Sequence, residues 1–260
     1  VETIAIFAAL QWECRSVLRH LGGARREESG GVAVWRAELP RHHVVVVRTG
    51  IGLERAEAAA RGLDPGERFD LFLSTGCAGG LDARLAPGDL VVADSIGCAG
   101  ENPTPTGPAH RAHARAAAER AGLRHHAGHV LSSPKLLASA EEKREAAARG
   151  AMAVEMEGAA LARIAAERGV PFGAVRSILD TVETRLEHSG VFVDPVTGAV
   201  RPLALARHLL RHPGNLATLL AMKKMMEAAE ASLALFFAEY LRATPHAPAR
   251  RVLDSPGTPR

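Results

Sequence analysis

The sequence predicts an α/β sandwich built on a largely parallel or mixed sheet. Three observations carry that expectation. Short apolar or β-branched runs alternate with Ala-rich helical stretches through residue 180. Gly-rich and acidic clusters fall where those runs end. A chain of 260 residues that is 47% hydrophobic has material for one sizeable core.

Val1–Ala8 is apolar and reads as a strand, and Glu13–Leu21 as the first helix. Val32–Glu38 alternates and Val44–Val47 is continuously β-branched; both read as strands, linked by a turn at Pro40-Arg41-His42-His43. Thr49-Gly50-Ile51-Gly52 opens a helix reaching Gly62. Leu71–Ser74 is a strand entering a Gly-rich turn, Thr75-Gly76-Cys77-Ala78-Gly79-Gly80, and Asp89–Asp94 is the next strand. A Pro-rich loop, Glu101–Pro108, precedes a helix at Ala109–Ala121, a strand at Gly128–Leu131 and a helix at Pro134–Arg149. Residues 153–180 read strand, helix, strand. Thr181–Arg201 is polar and irregular, and Pro202–Arg211 and Leu216–Leu241 are helical. The whole reads as one domain over 1–243, in which 202–241 is a C-terminal helical extension, followed by a mobile Pro-rich tail at 244–260.

A net charge of +3 with both signs mixed along the chain, and only 4% aromatic residues, argues against a nucleic-acid partner. Three cysteines without a C-x-x-C spacing suggest reduced thiols and a cytoplasmic protein. No leader or apolar span of membrane length is present, although Lys223-Lys224 among Met222, Met225 and Met226 leaves transient membrane-surface contact as an expectation. The twelve histidines form no H-E-x-x-H and no metal is expected. There is no P-loop, no G-x-G-x-x-G and no G-x-S-x-G.

The chemistry-bearing segment is Ala153–Asp180. Glu155-Met156-Glu157 sits where an apolar strand meets an Ala-rich helix, and the apolar run Pro171–Leu179 delivers Asp180 to its C-terminal end. Carboxylates near apolar walls are unfavourable unless paired, and desolvation makes such a group a proton donor. Ligand hydroxyls and a protonatable ring nitrogen are suitable partners, which points to a nucleoside. Of Glu155 and Glu157, one is free to bind ligand while the other is structural. In α/β sheets ligands bind at the carboxyl ends of strands, where all these clusters fall.

Taken in order, Ile4-Ala5-Ile6 with Glu13, Thr49-Gly50-Ile51-Gly52, Thr75 through Leu81 with Pro87-Gly88-Asp89-Leu90-Val91-Val92, and Val154-Glu155-Met156-Glu157 through Val175-Arg176-Ser177-Ile178-Leu179-Asp180 resemble the nucleoside phosphorylase family that includes methylthioadenosine/S-adenosylhomocysteine nucleosidases. The resemblance implies a three-layer α/β/α sandwich with a central mixed sheet and homo-oligomers. It implies that Met156 and Glu157 hold the ribose, Asp180 protonates N7 of the purine, Glu13 activates water, and Cys77, Ala78 and Gly79 line the ribose side. Leu136, beside Leu137, takes the place of the usual purine-stacking aromatic, and Leu179 that of a serine commonly found before the acid. Where phosphorolytic members carry phosphate-binding arginines this chain has Glu13 and Ser74. Arg48 and the Gly50 amide remain candidate anion ligands, with the Cys77 amide, should phosphate be a co-substrate.

Gly79-Gly80-Leu81-Asp82 and Leu209-Leu210-Arg211-His212-Pro213-Gly214-Asn215-Leu216 further resemble a hopanoid-biosynthesis branch, which implies an adenine nucleoside with a large apolar 5′ substituent. The apolar helix 202–241 would serve as its lid or interfacial surface. The competing expectations are a methylthioadenosine/S-adenosylhomocysteine or futalosine nucleosidase and, in another class, a nucleoside-binding sensor without turnover. No organic cofactor is expected.

Overall fold

A computed structural model of the chain describes residues 1–184 and 216–242. The first part of the expected lid, 202–215 of 202–241, and the tail from 244 lie outside the described residues.

Ten strands form one mixed sheet. The first half holds β1 (Glu2–Ala8), α1 (Gln11–Leu18), β2 (Arg25–Ser29), β3 (Val32–Glu38), β4 (His42–Arg48), α2 (Leu53–Arg61) and β5 (Leu71–Gly80). The second holds β6 (Leu90–Cys98), β7 (Thr104–Pro105), α3 (Pro108–Arg120), β8 (His125–Ser132), α4 (Ala140–Ala148), β9 (Ala151–Glu155), α5 (Gly158–Glu167), β10 (Phe172–Asp180) and α6 (Leu216–Tyr240).

The strand order runs β10-β6-β8-β9-β5-β1-β4-β3-β2, and β10 also pairs with β5. Five strands therefore close into a ring. β10 lies parallel to β5 from Phe172 opposite Phe72 to Ile178 opposite Ala78. At its far end β5 meets β9 instead, with Gly79 opposite Val154 and Gly80 opposite Ala153. Leaving the ring, β1, β4, β3 and β2 extend the sheet as an open wing.

Helices cover both faces. α2 and α5 bury Ala56, Ala59, Ala60, Leu161 and Ile164 against Phe7, Phe72 and Val91. On the other face α1, α3 and α6 bury Val17, Ala114, Leu233, Phe236 and Phe237 against Ile4, Ile6, Val46 and Val92. α4 makes a smaller core at the ring's side with Leu81, Leu131 and Val154. The three-layer sandwich is thus the observed fold.

Several details differ from expectation, each for a local reason. Gly76–Gly80 is not a turn but the end of β5. Its glycines let a second strand and a carboxylate approach the backbone closely. His42 and His43 lie in β4, in register with Glu2 and Thr3; the turn before them is closed by Leu39 N–H donating to the His42 carbonyl at 2.8 Å. α4 starts at Ala140 instead of Pro134 because Ser139 caps it, accepting from the Glu142 amide at 3.2 Å. β2 has no apolar period to announce it, being almost wholly exposed. Finally, the segment from Ala229 to Leu241 is no appendage. Ala229, Leu233, Phe236, Phe237 and Tyr240 are each at most 2% exposed, so this half of α6 belongs to the core.

Candidate active site

The C-terminal ends of β5, β9 and β10 meet at one rim of the ring. A small cleft opens there, lined by Gly79, Val154, Glu155, Met156, Asp180, Lys143 and the loop residues Lys135, Leu136 and Leu137. The topology brings these together from distant parts of the chain, as expected for an α/β sheet.

Glu155 ends β9 and is buried. Its carboxylate accepts from Arg176 Nη2 at 2.6 Å, from the Glu157 amide at 3.0 Å, from the Gly158 amide at 2.9 and 3.0 Å, and from the Ser132 hydroxyl. Arg176 is also buried, on β10, and donates through the same nitrogen to Ser74 Oγ at 2.5 Å. A charge so buried needs this density of donors. Arg176 Nε and Nη1 remain buried without a partner among the described residues. The Coulombic reach of Glu13, Glu155 and Glu157 extends to this guanidinium, so its spare donors sit within an acidic cluster and suit a bound water or ligand oxygen.

Glu13 is the second member of that cluster. It lies in the first turn of α1, 2% exposed. Oε2 accepts from the Leu10 amide and Oε1 from the Cys77 amide, both at 2.8 Å. Burial raises its pKa and these two amides oppose the rise. Gly76 makes the contact feasible: a Cβ there would lie 2.6 Å from Glu13 Oε1, and φ is +145°. Glu157 accepts from the Gly52 amide at 2.8 Å. Burial first, and the Glu155 charge second, push it up to about 8.

Asp180 closes the rim. It is 3% exposed, and Oδ1 lies where a Cβ on Gly79 would be 3.4 Å away. Oδ2 accepts from the ammonium of Lys143, itself buried on α4. Burial raises the Asp180 pKa, against the hydrogen bond and charge of Lys143.

Of the expected site residues, Asp180, Glu155, Met156, Gly79, Leu136 and Leu137 line the cleft. Glu13, Cys77 and Glu157 join them through the Cys77 amide and the acidic cluster. Ala78 is buried in the core and Leu179 is half-buried outside the cleft lining. Arg48 lies away from it, in a separate groove with Arg15, Arg26 and Trp35. The Gly50 and Cys77 amides expected to be free for an anion are already engaged, Gly50 with the Ala9 carbonyl at 3.2 Å and Cys77 with Glu13. Sequence reasoning noted Arg176 and Ser74 without giving them a role in the site, and passed over Ser132 and Lys143. An arginine inside an apolar strand was the available signal for the first, since such a residue requires a buried acid. Lys143 in an Ala/Glu helix gave none. No cluster able to hold a metal ion occurs among the described residues.

Residues 3–204 match the phosphorylase superfamily, and the chain belongs to that family. Among curated relatives, a 5′-methylthioadenosine/S-adenosylhomocysteine nucleosidase of Tolumonas auensis is 26% identical over 200 residues, covering 70% of this chain and 87% of the relative. The enzyme of that name from Actinobacillus succinogenes is 28% identical over 195 residues, covering 68% and 85%. The fold matches the solved Neisseria meningitidis nucleosidase of the same name, in complex with methylthio-immucillin-A, with a TM-score of 0.72 at 19% identity over 93% of this chain and 99% of that one. It also matches a Helicobacter pylori futalosine hydrolase mutant with a TM-score of 0.62 at 25% identity over 68% and 89%. No described helix is long and apolar enough to cross a membrane.

Proposed function

We propose that the protein is a purine nucleosidase that hydrolyses the N-glycosidic bond of an adenine nucleoside. The carrying observation is the pairing of two buried carboxylates with different surroundings around one rim: Asp180 at the cleft and Glu13 in the acidic cluster beside it. Asp180 protonates N7, so adenine leaves neutral as the C1′–N9 bond breaks and the ribose takes on oxocarbenium character. Glu13 removes a proton from the attacking water, which the spare Arg176 donors help to hold. Glu157 and Met156 take the ribose. Adenine is favoured over a 6-oxopurine because Asp180 can also accept from a 6-amino group.

Water is favoured over phosphate because Glu13 places a negative charge where an incoming anion would stand, and holds the Cys77 amide. The relatives named above support methylthioadenosine, S-adenosylhomocysteine or futalosine as substrate types. An adenosine with a large apolar 5′ substituent is the alternative, supported by the exposed Leu136 at the cleft and by Leu220 and Met226 exposed on α6.

The test incubates the enzyme with methylthioadenosine, S-adenosylhomocysteine, futalosine and a 5′-alkyl adenosine, with and without phosphate. Free ribose product identifies hydrolysis, and ribose-1-phosphate would refute it. Asp180→Asn should slow release of adenine about 100-fold or more; adenine release at the wild-type rate would remove Asp180 as the acid.

A further inference from the structure

Lys143 has no part in the chemistry above, yet it is among the most buried side chains of the molecule, at 1% exposure. Its ammonium meets three acceptors: Asp180 Oδ2, the Thr181 carbonyl at 2.9 Å and the Thr184 carbonyl at 3.0 Å. An ammonium has three hydrogens, so each has one acceptor. Those carbonyls are fixed by their own turn, in which the Thr184 amide donates to the Thr181 carbonyl at 3.0 Å and the Thr181 amide to Thr184 Oγ1 at 3.2 Å.

We infer that Lys143 is a positioning residue that supplies, through Asp180, the proton delivered to the leaving base. In the resting pair the proton is on Lys143 and Asp180 is a carboxylate. As the base departs, an N–H bond of Lys143 breaks and an O–H bond forms at Asp180 Oδ2; the carboxyl turns about its Cβ–Cγ bond to present that hydrogen to N7, where the O–H bond breaks and an N–H bond to the base forms. Lys143 is then a neutral amine that keeps its two bonds to Thr181 and Thr184, while Asp180 is again a carboxylate. Water returns one proton to Lys143, and Glu13 loses to solvent the one it took from the attacking water, so the cycle balances.

Two contrasts support this assignment. Glu155 has four donors, whereas Asp180 has only Lys143 among the described residues, which leaves Oδ1 open towards the cleft. Second, the other charged groups around the pair are already engaged: Glu155 on β9 by Arg176, Lys135 by Glu142, and Glu183 by Arg144. Lys135, the other cation lining the described cleft, is mostly exposed and paired with Glu142.

The inference rests on Asp180 being the acid, and its test keeps the two apart. Adenine release is followed between pH 5 and 9 with the best substrate of the panel above, in Lys143→Met, Lys143→Arg and Lys143→Ala. Measured against wild type at the same pH, Lys143→Met should be slowed about 100-fold at pH 8 and close that gap towards pH 5, where a lone carboxyl can take its proton from solvent. Arginine holds its charge but does not deprotonate, with a pKa above about 12, so Lys143→Arg should remain slow. Methylamine added to Lys143→Ala should restore part of the rate. A Lys143→Met profile parallel to wild type, a wild-type rate in Lys143→Arg, or no rescue by methylamine overturns the relay. If Lys143→Arg fails to fold by circular dichroism, the methylamine rescue decides. A fully active Asp180→Asn would instead remove the acid itself.

Discussion

Strand β10 carries two buried ion pairs, and they are built in opposite ways. Arg176–Glu155 is sealed: the acid has guanidinium, hydroxyl and two backbone donors, and both side chains are 1% exposed. Lys143–Asp180 is equally buried but sparsely bonded, and its acid faces the cleft. An over-satisfied carboxylate is fixed in place, which is what a scaffold requires. A carboxylate with one donor can change its protonation state, which is what chemistry requires. Burial alone therefore does not separate the two acids; the number of donors does.

The largest expected effect breaks the sealed pair. Arg176→Met should destabilise the fold by about 3–5 kcal/mol, because it strands the Glu155 charge; urea denaturation measures it. Next comes Glu157, whose amide donates to Glu155 at 3.0 Å. With its pKa pushed up to about 8 by burial, it is protonated at neutral pH and ionised above pH 8. If its carboxylate accepts from ribose hydroxyls, kcat/KM should rise about tenfold per pH unit up to pH 8 and then level. Glu157→Gln should abolish that limb.

A neutral buried contact calibrates the ionic ones. His110 Nδ1 meets the Tyr240 hydroxyl at 3.1 Å, joining α3 to α6, and burial lowers its pKa to about 3. The folded state thus binds its proton less readily than the unfolded chain, in which histidine titrates near about 6.5. Its contribution is present above pH 6.5 and is lost as pH falls towards 3, by at most about 1.4 kcal/mol per pH unit. His110→Gln should flatten the acid side of a stability-against-pH curve. The smallest effect sharpens the comparison most. Lys143→Met with Asp180→Leu should leave stability within about 1 kcal/mol of wild type while abolishing activity, since a sparsely bonded buried pair is replaceable by apolar side chains.

Much of this site was legible in the sequence because its acids sit at strand ends. Asp180 ends an apolar run, and Glu155-Met156-Glu157 marks the junction of β9 and α5. The alternation of apolar runs and Ala-rich helices gave the layers for the same reason, since each face of the sheet needs a cover. What stayed hidden depends on through-space partners. Nothing local distinguishes Lys143 from its exposed neighbours Arg144 and Glu145. The Gly76–Gly80 segment reads as a turn unless the antiparallel return of β9 is known. Arg48 follows a β-branched strand near a glycine turn, but its position in β4 sends it to the groove beside α1 and not to the cleft.

The wing of the sheet ends in β2, whose Arg25, Arg26, Glu27 and Glu28 are all exposed. The five-strand ring uses up its own pairing, so β2 is the long strand left with an open side among the described residues. Four charged side chains along that border make it a poor template for a second chain. The molecule thereby carries its own safeguard against stacking into fibres, placed at the far side of the sheet from the chemistry it protects.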